Sequence, residues 1–66
     1  MKEQKESLMR VGGIYRNKQT KGLYLFVTRV SREMGYSVIR YYYLRDPDHE
    51  YKMRDTNDLE LSWEEF

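Results

Sequence analysis

The sequence predicts a mainly β protein: four to five short antiparallel strands curled into a small barrel or a strongly bent sheet. Three observations carry this. The runs LYLFVTRVSR and YSVIRYYYLR are dense in β-branched and aromatic residues, which suit a pleated surface. Clusters of Gly, Pro, Asn and Asp punctuate them at close spacing, the pattern of strands joined by tight turns. The chain has 66 residues, 35% charged and 15% aromatic. That suits one small folded domain, because disordered chains are charged but poor in aromatics.

Residues 1–9 are polar with no sustained period and are expected to form a flexible tail or one loose helical turn. That leaves 10–66 as a single domain. Gly12 and Gly13 let the backbone bend or pass close to another strand. Ile14 and Tyr15 open a short strand, and NKQTKG, ending in Gly22, is a hairpin loop. In the next strand, Leu23, Leu25 and Val27 share one face. Tyr24, Phe26 and Val30 share the other, with a bulge expected at Thr28 or Arg29. SREMGY turns the chain, Gly35 supplying a positive φ.

The following strand has two rows. Tyr36, Val38, Arg40, Tyr42 and Leu44 form one, and Ser37, Ile39, Tyr41, Tyr43 and Arg45 the other. The row of Val38, Tyr42 and Leu44 is expected to point inward, leaving Ile39, Tyr41 and Tyr43 outside. DPDH forms a turn with Pro47 second, and EYKMR a short strand with Tyr51 and Met53 inward. After DTND, the residues Leu59, Leu61 and Trp63 alternate as a strand. SWEE then reads as a capping box, Ser62 at the cap and Glu65 three on, so one helical turn should end the chain. Trp63 and Phe66 would meet at i, i+3 and close the core. A Phe66 free of the core would instead be a binding anchor.

This layout resembles a small Src-homology-3-like barrel. The resemblance is architectural, covers residues 10–66 and rests on strand spacing. It implies a fold and no particular activity. The core of so short a chain is small, so a partner or self-association would add to it.

Charge is segregated. Residues 1–45 hold ten Lys or Arg against three acids, a net of +7, and residues 46–66 hold eight acids against two bases, a net of −6. Such asymmetry hints at an interaction surface. The plainer reading is that the acidic end folds beside the basic strands and neutralises them.

No catalytic constellation stands out. Ser7, Ser31, Ser37 and Ser62 lack the G-x-S-x-G context, and His49 sits between Asp48 and Glu50 in a turn. The chain has no cysteine, which removes disulfides and thiolate metal sites. Asp46, Asp48 and Glu50 lack calcium-loop spacing and its glycine. A non-enzymatic protein without cofactor, metal or small-molecule substrate is therefore expected. The absence of an apolar leader or of an apolar run long enough to span a membrane points to the cytoplasm.

RYYYLR carries the functional expectations. Ile39, Tyr41 and Tyr43, rimmed by Arg40 and Arg45, would form an exposed patch for a protein partner or a homodimer. The alternative is a stacking platform for single-stranded nucleic acid: Tyr41 and Tyr43 with Lys21, Arg29, Arg32, Arg40 and Arg45 on phosphate. A small charge-segregated domain also resembles the proteins with which bacteriophages and mobile elements bind and inhibit host machinery. Asp55, Asp58, Glu60, Glu64 and Glu65 would then be the charges of a minor, nucleic-acid-mimicking variant. The leading expectation is an adaptor or inhibitor that binds protein.

Overall fold

In the computed structural model the described residues are 9–56 and 58–66. Five strands make one antiparallel sheet: β1 (Ile14–Asn17), β2 (Tyr24–Glu33), β3 (Tyr36–Tyr43), β4 (Asp46–Arg54) and β5 (Trp63–Glu65). Their order is β4-β3-β2-β1-β5. The short helix α1 (Leu59–Ser62) precedes β5. The mainly β fold and its helical turn are as expected, and the sheet does not close into a barrel.

One face of the sheet carries the core. Tyr15, Leu25, Val27, Ile39, Tyr41 and Trp63 are buried there with Met9, and Leu23, Val30, Tyr43, Met53 and Leu59 pack against them. Residues 1–8 of the expected tail lie outside the described residues; Met9, placed with them above, is 1% exposed.

The bulge expected at Thr28 or Arg29 is present. Val27 pairs with Tyr41, but Arg29 pairs with Arg40, so Thr28 is the extra residue. The Thr28 hydroxyl bonds the Arg40 carbonyl at 3.1 Å and the Glu50 carboxylate at 2.8 Å. The bulge advances the side-chain alternation by one. Val30 therefore joins Leu25 and Val27 on the core face rather than Tyr24 and Phe26 on the other.

The β2–β3 turn has two central residues, Met34 (φ 50°) and Gly35 (φ 89°). Positive φ at both is what a type I′ hairpin demands. Met34 is an unusual residue there and is 92% exposed.

Two expected turns moved. Leu44 and Arg45 form the two-residue β3–β4 turn, with Tyr43 paired to Asp46. The DPDH segment instead lies within β4: Asp46 pairs with Tyr43, and residues 47–50 bulge opposite Tyr42 before Tyr51 pairs with Tyr41. Pro47 is tolerated because β4 is an edge strand. Tyr51 and Met53 do face the core side, opposite Tyr41 and Ile39.

At the C-terminal end, helix and strand come in the reverse of the expected order. Leu59 and Leu61 are helical, and Trp63–Glu65 extends against β1. Ser62 ends the helix rather than capping one. Pairing with β1 decides this: Lys18 N–H donates to Ser62 O and Phe66 N–H to Ile14 O. Trp63 and Phe66 consequently leave the sheet on opposite faces, Trp63 in the core and Phe66 73% exposed.

Gly12 and Gly13 bring the chain close to β2, as expected. Gly12 N–H donates to Val27 O and Val27 N–H to Gly13 O. Gly13 lies against the buried Tyr15 ring, whose hydroxyl accepts from Arg10 N–H. A Cβ at Gly13 would stand 2.6 Å from that hydroxyl, whereas one at Gly22 would meet nothing within 4 Å.

Gly13→Ala is expected to lower stability by about 1–3 kcal/mol, read as a fall in the urea midpoint, with Gly22→Ala as the neutral control. Met34→Asn should raise stability by about 1 kcal/mol by relieving the left-handed backbone at the hairpin tip. An unchanged midpoint for either would contradict the packing or turn geometry described.

Candidate functional site

The structure inverts the two rows of β3. Ile39 is 0% and Tyr41 9% exposed, and Tyr43 packs against the core. Ladder register is the cause: Tyr43, Tyr41 and Ile39 stand directly opposite Leu25, Val27 and Val30, and paired residues share a face. Tyr41, Tyr43 and Tyr51 form a ring cluster with centroids 5.4–5.8 Å apart. Burial, then the Tyr43 hydroxyl, pushes the Tyr41 phenol up to about 12. The patch proposed from sequence is thus the covered side of the sheet. Leu44, expected inward, is in a turn and 42% exposed.

The other face is more open, and different residues line it; of those named next, Val38 alone is buried, at 5% exposed. Val38, Arg40 and Tyr42 point there from β3, with Phe26, Arg29 and Ser31 from β2, Arg16 from β1, and Lys52 and Arg54 from β4. Two aromatic pairs lie on it: Phe26–Tyr42, with centroids 5.3 Å apart, and Tyr24–Phe66, edge to face at 5.0 Å. Arg54 stacks over the Tyr36 ring at 4.2 Å.

Beside the Phe26–Tyr42 pair runs a row of three cations. Arg29 is directly opposite Arg40, and Arg40 directly opposite Lys52. Like charges facing one another across a ladder are destabilising. Relief within the chain is slight: the Glu33 carboxylate is 3.8 Å from the Arg40 guanidinium. The Nε of Arg40 is buried without a hydrogen-bond partner among the described residues. Arg29 and Lys52 are exposed.

Further along the face the charges are matched. Arg16 Nε and Nη2 donate to one Glu64 oxygen at 2.9 and 2.7 Å, and Lys21 is 3.9 Å from the same oxygen. Lys18 donates to the Glu60 carbonyl at 2.6 Å. The acidic C-terminal end does fold beside basic β1. The remaining cations named from sequence stand apart from the row: Lys21 in the β1–β2 loop, Arg45 in the β3–β4 turn, and Arg32 on the core-side row of β2 beyond the core. His49 is exposed, with Nδ1 3.2 Å from the Asp46 carboxylate. Among the described residues no group of three or more acids or histidines could hold a metal ion, and no helix is long and apolar enough to cross a membrane.

The aromatic residues that matter on the open face, Phe26, Tyr42, Tyr24 and Phe66, were not singled out for binding by the sequence, apart from Phe66. A signal was present: Arg40 shares its row with Val38 and Tyr42, and a charged strand residue of a small protein marks the wet side.

No family model, curated protein or solved structure matches this chain.

Glu64 is held below the usual carboxylate range, chiefly by the Arg16 hydrogen bonds, and Arg16 is raised in turn. A carboxyl lowered in the folded state stabilises fully above its unfolded value, near 4.5, and loses that contribution as pH falls through the folded value. The wild type should therefore lose more stability than Glu64→Gln on acidification from about pH 5 downward. The difference will be small, because the pair is about a third exposed. Denaturant midpoints across that window measure it; parallel curves would show that the pair contributes nothing.

Proposed function

We propose that this chain is a small non-enzymatic module that binds single-stranded nucleic acid on the open face of its sheet. The observation that supports the reading is the row Arg29–Arg40–Lys52 lying beside the Phe26–Tyr42 pair. Three cations abreast are mutually repulsive in the free protein, and a polyanion laid across the strands relieves that repulsion. Phosphates sit on Arg29, Arg40 and Lys52. Bases stack on Tyr42 and Phe26, one side-chain repeat along the strands and so about 7 Å away. Base–aromatic stacking tolerates any base, so little sequence preference follows.

The near-neutral whole chain does not weigh against this. Asp58 and Glu60 belong to the α1 end, Asp55 lies at the end of β4 beside Ser37, Glu50 is engaged by the Thr28 hydroxyl, and Glu64 is engaged by Arg16 and Lys21. A protein partner remains the second reading. The observation that favours it is Phe66, which is outside the core and rests on Tyr24 at the margin of the same face.

Titrating labelled single-stranded DNA and RNA by fluorescence anisotropy tests the proposal. Binding should fall steeply with salt, as counterion release requires. Arg40→Glu should weaken it at least tenfold, and Tyr42→Ala should weaken it by about 1–3 kcal/mol with little change in salt slope. Tyr43→Phe, on the covered face, should leave it unaltered. Absence of binding at low salt would overturn the reading and give the face to a protein.

A further inference from the structure

Two lines run across the open face, and they do not end at the same strand. The cation row Arg29–Arg40–Lys52 lies on β2, β3 and β4. Register draws a second line beside it. Tyr42 stands opposite Phe26, and Phe26 opposite Ile14. Tyr15 pairs with Glu65, and Phe66 N–H donates to Ile14 O at 3.0 Å, so Phe66 continues the line beyond β5. Tyr42, Phe26, Ile14 and Phe66 are therefore one apolar strip across the sheet. Three strand steps of about 4.8 Å make it roughly 14 Å long. The strip overlaps the cation row on β2 and β3 only, and its far end reaches two strands beyond the last cation of the row.

That far end has the properties of a stacking platform. Phe66 is 73% exposed, yet it is held in place. Its backbone is pinned to β1, and its ring meets Tyr24 edge to face at 5.0 Å. An edge-to-face contact occupies one face of one ring only, so most of the aromatic surface at this end stays free. A ring already ordered in the free protein costs little further entropy when a base settles on it. Neighbouring charge does not keep a nucleotide away, because the Glu64 carboxylate is held by Arg16 at 2.7 Å and lies 3.9 Å from Lys21. Ile14, half-buried between the rings, gives the strip an apolar floor.

We propose that the nucleic-acid site extends along this strip to Phe66 and Tyr24, so that its ligand is a single strand lying across the β-strands rather than along them. The inference rests on the reading of the open face as a single-strand site. The strip takes three bases when one lies on each of Tyr42, Phe26 and Phe66, and about five at the stacked rise of about 3.4 Å. The ligand is thus a segment of about three to five nucleotides. A dinucleotide covers Tyr42 and Phe26 and leaves Phe66 bare. Phosphates meet the cation row over β2, β3 and β4, and the Phe66 end adds stacking without a further member of that row.

Competition of unlabelled oligothymidylates, from the dinucleotide to the octamer, against a labelled strand tests this on the full chain. Affinity should climb steeply to about five nucleotides and beyond that gain only the statistical factor of added registers. Phe66→Ala should weaken octamer binding at least fivefold, the loss of one stacked base. It should leave the dinucleotide and the salt slope unchanged. Phe66→Leu should behave as Phe66→Ala, and Phe66→Trp should keep wild-type affinity, because the platform needs a ring and not apolar bulk. Circular dichroism should show all three variants folded, since Phe66 is outside the core. Octamer binding that falls with Arg40→Glu but is unaltered by Phe66→Ala overturns the extension, leaves the cation-row reading standing and gives Phe66 to a protein contact. Equal losses for dinucleotide and octamer overturn it as well. A wild type that binds no length at low salt overturns both readings together.

Discussion

The extra residue at Thr28 is the constraint on which both faces of the sheet depend. Without it, continued alternation along β2 would send Arg29 into the core and Val30 into water. With it, Val30 packs over Ile39 and Arg29 comes to stand beside Arg40. The cost of an interrupted ladder is offset locally. The hydroxyl of Thr28 lies against the Arg40 carbonyl on the neighbouring β3 and ties the bulge to Glu50 on β4, one strand further on. One short polar side chain thus sets the phase of the core and of the open face together.

The two faces answer to opposite demands. The core face is filled with large rings, Tyr15, Tyr41 and Trp63, which give a short chain much buried area per residue. The open face carries as many rings as the core side but intersperses them with arginine and lysine. A sheet that is apolar on both sides and covered on one is an uncommon arrangement for a small monomer. Three cations stand abreast on that side against the usual cross-strand preference.

Much of the fold was legible in the sequence: the strand runs, the glycine approach to β2, the hairpin at Gly35, the bulge, and the inward Tyr51 and Met53. The errors have physical reasons. Both rows of β3 are apolar, so alternation alone could not say which was inside, and the pairing to Leu25 and Val27 decided it. The DPDH segment looks like a turn by composition, yet Leu44 and Arg45 make the tighter hairpin because it brings Tyr43 against Asp46. SWEE has the chemistry of a helix cap, but the long-range ladder to β1 outweighed a local preference worth about 1 kcal/mol. The candidate site followed from the same ambiguity, since choosing the wrong row exchanges surface for core. The cation row could not be read at all without register, because Arg29, Arg40 and Lys52 are far apart along the chain.

The ladder between β1 and β5 has a kinetic consequence. Strands β2, β3 and β4 follow one another through two-residue turns, so their contacts are local and form early. The β1–β5 ladder, by contrast, joins residues 48 apart in sequence, Arg16 and Glu64. Its strand is only three residues long, and the helix before it buries no residue. The closing segment is therefore the natural unit of sub-global opening, able to detach while the three-stranded meander persists. Trp63, the single tryptophan of the chain, rides on that segment. Its emission thus reports the opening of one clasp, whereas far-ultraviolet dichroism reports the meander, and the two signals have no physical reason to coincide.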